Sequence, residues 1–263
     1  MGKVTLIGAG PGAADLLTVR GARILAEAQV VLHDALVSEE MFDYCPNAIR
    51  VEVGKRCGKR STAQLFINRQ LVDVARKYDR VVRLKGGDPM LFGRADEEMQ
   101  ALEAAGIEYD VVPGITAALA AAASIRKPLT KRGVSRSVAF ATQAKGKEGV
   151  DLELANEAVQ ADSLVYYMGR DQAATIAAQL IAAGKPADTP AWVVEAISTP
   201  NERSLGISLA QMARGEASSW INSDQPCLLM IGLAFARRLS EQSLGGDAGP
   251  DVDVTNGSVR HAA

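Results

Sequence analysis

The chain has 263 residues, 48% of them hydrophobic, enough apolar material for one large domain or two modest ones. Its net charge of -2 gives no general attraction for a polyanion, so nucleic-acid binding would need a local basic patch. Three widely spaced cysteines, Cys45, Cys57 and Cys227, argue against a disulfide framework or zinc knuckle and for a reducing, cytoplasmic setting.

The chain opens directly on a strand without a leader pattern, and no apolar run reaches the ~20 residues of a membrane span. Val4 to Ile7 is that first strand, and a helix is expected from about Thr18 to Ala28. Gln29 to Leu32 and Arg50 to Val53 are predicted strands. From Thr62 to Lys77, Ile67, Leu71, Val74 and Ala75 recur at helical spacing, with Ser61 or Thr62 available as N-cap. Val81 to Leu84 is a strand running into Gly86-Gly87-Asp88-Pro89. A helix from about Arg94 to Ala105 stops at Gly106, where a left-handed cap costs least. Tyr109 to Val112 is a strand and Thr116 to Ser124 an alanine-rich helix. Strands separated by helices require crossovers, so the expected fold class is α/β, with a mostly parallel sheet in this first half.

A domain boundary is expected between Pro113 and Pro128, giving domains 1–115 and 116–240. The second half has predicted strands Val138 to Thr142, Leu164 to Met168, Ala191 to Glu195, Arg203 to Ser208 and Cys227 to Ile231, and a helix Asp171 to Ala183. A short helix and loop fall between the last two strands. Residues 241–263 turn to Gly, Ser, Asp and Asn without periodicity and are expected to be a disordered tail.

A glycine-rich loop between strand and helix lets backbone amides approach a ligand closely. Gly8-Ala9-Gly10-Pro11-Gly12 departs from the dinucleotide fingerprint, because the third glycine falls one position early and Pro11 has no amide to offer a pyrophosphate. By itself it reads equally as a plain tight turn. Lys85-Gly86-Gly87-Asp88-Pro89 also follows a strand, and open α/β sheets bind ligands at the carboxyl ends of their strands. Asp88 can cap the next turn or accept a hydrogen bond from a ligand. Arg94 and Glu97, three apart, share a helix face as an ion pair. His33 and His261 are the only histidines, too few for a metal centre.

Several segments then occur in order: Val4-Thr5-Leu6-Ile7-Gly8-Ala9-Gly10-Pro11-Gly12, Val53-Gly54-Lys55-Arg56, Val82-Arg83-Leu84-Lys85-Gly86-Gly87-Asp88-Pro89, Phe92-Gly93-Arg94, Val112-Pro113-Gly114-Ile115-Thr116, Pro128-Leu129-Thr130 and Tyr167-Met168-Gly169. Together they resemble the uroporphyrinogen-III C-methyltransferases of the tetrapyrrole (class III) methylase family, over about residues 3 to 235. The resemblance implies two α/β domains with S-adenosylmethionine (SAM) in the cleft between them, no metal, and a homodimer. It implies SAM contacts from Pro11, Gly86, Gly87, Asp88, Leu91, Phe92, Thr116, Ala117 and Met168, with Ala196, Pro226 and Leu228 completing the wall. Arg94 and Glu97 would meet the polycarboxylate porphyrinogen, with Arg132 as a second clamp and Lys55 and Met168 at the substrate. Guanidinium forks suit carboxylates bidentately.

The implied reaction methylates C2 and then C7 of uroporphyrinogen III, giving precorrin-2 and S-adenosylhomocysteine. A proton must leave after each methylation. A guanidinium effectively does not deprotonate, so Arg94 is assigned to anchoring, and Glu97, Asp34 or a water between them to proton acceptance. Three positions depart from the family pattern: His33 before Asp34, Lys131 in the Arg132 loop, and Gln143 after the Thr142 strand. A methylase of a later cobalamin precursor, an RNA or protein-histidine methylase, or a nucleotide-binding regulatory module remain the competing readings. The segment before the first strand is too short for the dehydrogenase–chelatase domain of a fused sirohaem synthase, so an unfused enzyme is expected.

Overall fold

The computed structural model describes residues 2–53, 60–142, 160–222 and 224–236. Lys55, Arg56, Cys57, Gln143, His261 and the tail expected at 241–263 lie outside the described residues. The chain divides into two compact units after Ala117.

In the first unit, five strands are β1 (Lys3–Gly8), β2 (Val30–His33), β3 (Ile49–Glu52), β4 (Arg80–Lys85) and β5 (Tyr109–Val112). The helices between them are α1 (Val19–Ala26), α2 (Arg60–Ala75) and α3 (Ala95–Ala104). The sheet runs β3-β2-β4-β1-β5 with every neighbouring pair parallel. Because both faces are covered, the inner strands are buried almost throughout, and successive residues feed two separate cores. Ile7, Val31, Val82, Leu84 and Val112 pack with Leu25 of α1 and with Met41 and Phe42 of a 3₁₀ segment. Val4, Leu6, Val30, Leu32 and Val81 pack with Ile67, Leu71, Ala75, Ala95 and Leu102 of α2 and α3. Thr18 caps α1 by accepting the Gly21 amide at 3.1 Å, a contact worth about 1 kcal/mol.

The order of this sheet positions a site. From β1 the chain crosses β4 to reach β2, and from β4 it crosses β1 to reach β5. The loops after these adjacent strands therefore leave in opposite directions, the topological condition for a ligand crevice at the strands' carboxyl ends.

The second unit holds α4, which begins at the division (Ala117–Ser124), then β6 (Val138–Thr142), β7 (Ser163–Tyr167), α5 (Ala173–Ala182), β8 (Pro190–Glu195), β9 (Arg203–Ser208), α6 (Leu209–Ala213), α7 (Glu216–Trp220) and β10 (Cys227–Gly232). Its sheet order is β6-β7-β10-β8-β9. Here, unlike in the first unit, only β6–β7 is parallel, and the other three pairings are antiparallel. The reason is connectivity, since β8 and β9 are joined without a crossover helix and β10 inserts between β7 and β8. Leu164, Tyr166, Val193, Leu205, Leu229 and Ile231 pack on Ile176, Leu180, Leu209 and Met212 of the helices.

Cys227 sits in that core, and burial pushes its thiol up to about 12. Folding thus holds a proton that the unfolded chain releases at the ordinary thiol value. The contribution of this group to stability is full below about pH 9 and drains away as pH rises toward 12. Iodoacetamide at pH 8 is expected to leave Cys227 unmodified in the native protein and to label it in urea, as read by peptide mass spectrometry; native labelling would contradict its burial.

Candidate active site

The two glycine-rich turns are joined directly. Gly10 and Gly87 form a small antiparallel bridge, with Gly10 N–H donating to Gly87 O at 3.1 Å and Gly87 N–H to Gly10 O at 2.7 Å. The Ala9 amide donates to Lys85 O at 2.7 Å. Gly87 takes φ +68, which a side chain would resist. A third loop, after β5, enters the same knot: a Cβ on Gly8 would lie 2.5 Å from Gly114 Cα and 2.6 Å from Gly87 O. Three backbones touch there, so no side chain fits.

Asp88 ties this knot to the next turn. One carboxylate oxygen accepts the Met90 amide at 2.8 Å and the other the Gly114 amide at 2.9 Å. Its capping role is therefore realised, and it spans the β4 and β5 loops. Pro11, Gly86, Leu91, Thr116 and Ala117 are half-buried around these loops, and Phe92 is exposed.

Backbone strain marks several of the same residues. Among the described residues six non-glycines have φ between 48° and 59°: Phe92, Arg94, Arg126, Met168, Ala196 and Ser198. Such a conformation costs about 1–2 kcal/mol per residue. Four of the six are residues singled out from sequence. Strain retained at sites of this kind points to function. The helix expected to start at Arg94 starts one residue later for this reason, with Arg94 as its left-handed N-cap. The strand expected to reach Met168 ends at Tyr167, because Met168 turns at φ 54. In the second unit Met168 follows β7, whose Tyr167 pairs with Leu228, and the Ala196 amide donates to Pro226 O at 2.9 Å. Met168, Ala196, Pro226 and Leu228 thus gather at one end of β7, β10 and β8.

Arg94 and Glu97 form a two-point pair: Nε donates to Oε1 at 2.7 Å and Nη2 to Oε2 at 2.8 Å. Each side chain is 37% exposed, so the fork is held in place yet reachable from solvent. Arg132 is exposed in a turn closed by hydrogen bonds between the Lys131 and Ser135 backbones.

Asp34 follows His33, whose Nδ1 lies 3.2 Å from the Asp34 carbonyl oxygen and whose ring packs edge-on against Phe42. The Asp34 carboxylate accepts Arg83 Nη2 at 2.5 Å. Arg83, 1% exposed, also donates through Nε to Glu98 Oε1 at 3.1 Å, and Lys85 Nζ donates to the same oxygen at 2.8 Å. Burial, and secondarily the Arg83 charge, pushes the Lys85 ammonium below its ordinary value. Sequence reasoning missed Glu98. The signal was two cations, Arg83 and Lys85, on one side of a strand whose residues 81 to 84 are otherwise apolar, which demands a buried anion. Among the described residues no three His, Cys, Asp or Glu side chains gather as a metal site, and no helix is long and apolar enough to cross a membrane.

The profile of the tetrapyrrole (corrin/porphyrin) methylases matches residues 3–213. A siroheme synthase of Pseudomonas fluorescens (strain Pf0-1) is 44% identical over 232 residues, 88% of this chain and 50% of that protein. The chain thus spans about half the length of such relatives. A uroporphyrinogen-III C-methyltransferase of Paracoccus denitrificans (strain Pd 1222) is 43% identical over 234 residues, 88% of this chain and 81% of that protein. The crystal structure of the Thermus thermophilus uroporphyrin-III C-methyl transferase complexed with S-adenosylhomocysteine superposes with a TM-score of 0.77 at 37% identity, covering 89% of this chain and 93% of that one. With its glycine knot, its strained turns and a family match over most of its length, the chain belongs to the tetrapyrrole methylases.

Proposed function

We propose that the chain is a SAM-dependent C-methyltransferase that converts uroporphyrinogen III to precorrin-2 by methylation at C2 and C7. The observation that carries the reading is the backbone knot of Gly8, Gly87 and Gly114, where three loops meet without side chains at the carboxyl ends of β1, β4 and β5. It fits a ligand read by main-chain atoms, and the Thermus relative was crystallised with S-adenosylhomocysteine. Pro11, Gly86, Gly87, Asp88, Leu91, Phe92, Thr116 and Ala117 in the first unit, and Met168, Ala196, Pro226 and Leu228 in the second, would hold SAM. When bound, SAM supplies an electrophilic methyl group on a sulfonium.

The remaining work falls to the chain's own residues, and most of it is orientation. Arg94, oriented by Glu97, is the anchor for a substrate carboxylate; Arg132 and Lys55 supply further cations. The proton that leaves the macrocycle after each methylation goes to a carboxylate, Glu97 or Asp34, or to a water that one of them holds. The reading includes a cytoplasmic homodimer; the free thiols Cys45 and Cys227 suit a reducing compartment.

Anaerobic incubation with methyl-labelled SAM and uroporphyrinogen III tests the reading. The expected result is two labels per macrocycle and a product that oxidises to a coloured dimethylated species. Absence of label transfer would overturn it. Transfer to a later corrinoid precursor but not to uroporphyrinogen III would move the chain to another branch of the family.

A further inference from the structure

We propose that Glu98 is a positioning residue for methyl transfer, its single oxygen Oε1 fixing both Arg83, which holds Asp34, and Lys85, which underlies the Gly86–Arg94 loop. The inference rests on the methyltransferase reading and extends it to a residue that contacts neither SAM nor porphyrinogen.

The geometry is specific. Val81, Arg83 and Lys85 alternate onto the face of β4 that packs on α2 and α3. Two cations there would be costly without an anion, and Glu98, completely buried on the first turn of α3, is that anion. Its Oε1 accepts Arg83 Nε at 3.1 Å, Lys85 Nζ at 2.8 Å and Gln64 Nε2 of α2 at 3.3 Å. Its Oε2 is buried with no hydrogen-bond partner among the described residues. Three donors thus converge on one oxygen, so the single Glu98 side chain sets where the Arg83 and Lys85 heads lie.

What those donors reach is the candidate chemistry. Arg83 spans from Glu98 to Asp34, the carboxylate after β2. Lys85 ends β4 immediately before Gly86, and its Cε lies 3.3 Å from where a Cβ on Gly93 would stand, so its side chain fills the space beneath the loop that leads to Arg94. Glu97, the neighbour of Glu98 on α3, grips Arg94 from outside, and the Asn68 side chain of α2 donates to Glu97 O at 2.9 Å. One helical turn therefore orients Asp34 through the interior and Arg94 at the surface.

The test is Glu98→Gln, which preserves shape while removing the charge that draws Arg83 and Lys85 together. Steady-state methylation is measured well below each variant's melting temperature, together with adenosylhomocysteine affinity by calorimetry. The expected result is a kcat at least tenfold lower, with the KM for SAM and the adenosylhomocysteine Kd within about threefold of the parent. A lower melting temperature with unchanged kcat would overturn the proposal, because it would leave Glu98 a purely structural charge. If Glu98→Gln fails to fold, the double variant Lys85→Met/Glu98→Gln removes one cation with the anion. A kcat restored to the parent value in that variant would equally overturn the proposal; a kcat still tenfold down would sustain it. Absence of methylation by the unsubstituted protein would instead overturn the functional reading, and the proposal with it.

Discussion

Gly114→Ala is expected to cost about 3 kcal/mol of stability and to weaken adenosylhomocysteine binding by at least 100-fold. The added Cβ would overlap Gly87 O and the Gly8 backbone, and none of these atoms belongs to a flexible side chain that could swing aside. Overpacking of this kind typically costs 1–3 kcal/mol, and backbone obstacles place it at the upper end. The three loops must separate to admit the methyl group. That also breaks the Asp88–Gly114 hydrogen bond and displaces the main-chain wall of the proposed SAM site. Gly106→Ala is the control: it has a positive φ of +67 and nothing within 4 Å of where its methyl group would stand, so it should cost only about 1–2 kcal/mol and spare binding. Denaturant melts and calorimetry with adenosylhomocysteine read both effects. Equal binding by Gly114→Ala and the parent would show that the knot is structural and lies away from the ligand.

Arg94→Ala is expected to lower kcat/KM for uroporphyrinogen III by roughly 10²–10³-fold, as loss of a charged anchor costs about 2–5 kcal/mol. Arg94→Lys separates the two roles open to this residue. A lysine is a far better proton acceptor than a guanidinium near pH 10, so a base role predicts activity that recovers as pH rises. An anchoring role predicts a loss at every pH, because the ammonium cannot reproduce the two-point grip now made with Glu97. We expect the second outcome. Glu97→Gln should lower kcat by about 10²-fold while leaving adenosylhomocysteine affinity within threefold, in keeping with loss of a proton acceptor. Unchanged turnover in that variant would remove Glu97 from the proton transfer and leave Asp34 as the carboxylate.

Much of this architecture was legible in the sequence because it rests on local patterns. Val138–Thr142, Tyr109–Val112 and Arg203–Ser208 form as strands over the spans expected from their residues. The helix before Gly106 and the turn at Gly86-Gly87 also follow from residues adjacent in the chain. Local pattern stops where distant segments decide. Sheet direction in the second unit depends on where β10 inserts, and no periodicity within β10 encodes that position. The Arg94 helix start and the Met168 strand end moved because both residues adopt a left-handed backbone, which side-chain pattern does not reveal in a non-glycine residue.

The sequence by itself determined the α/β alternation, the two glycine turns and the Arg94–Glu97 ion pair, since each rests on spacing along one element or loop; the role of that pair at the substrate came from the family resemblance. Only the tertiary structure decided that the turns are hydrogen-bonded to each other, that Gly114 completes their contact, and that Asp34 is held by Arg83. It alone revealed Glu98 as the buried anion between Arg83 and Lys85. The physical reason is the same in each case: these contacts join residues brought together by parallel strand crossovers, and their strength comes from burial, which a linear pattern does not carry.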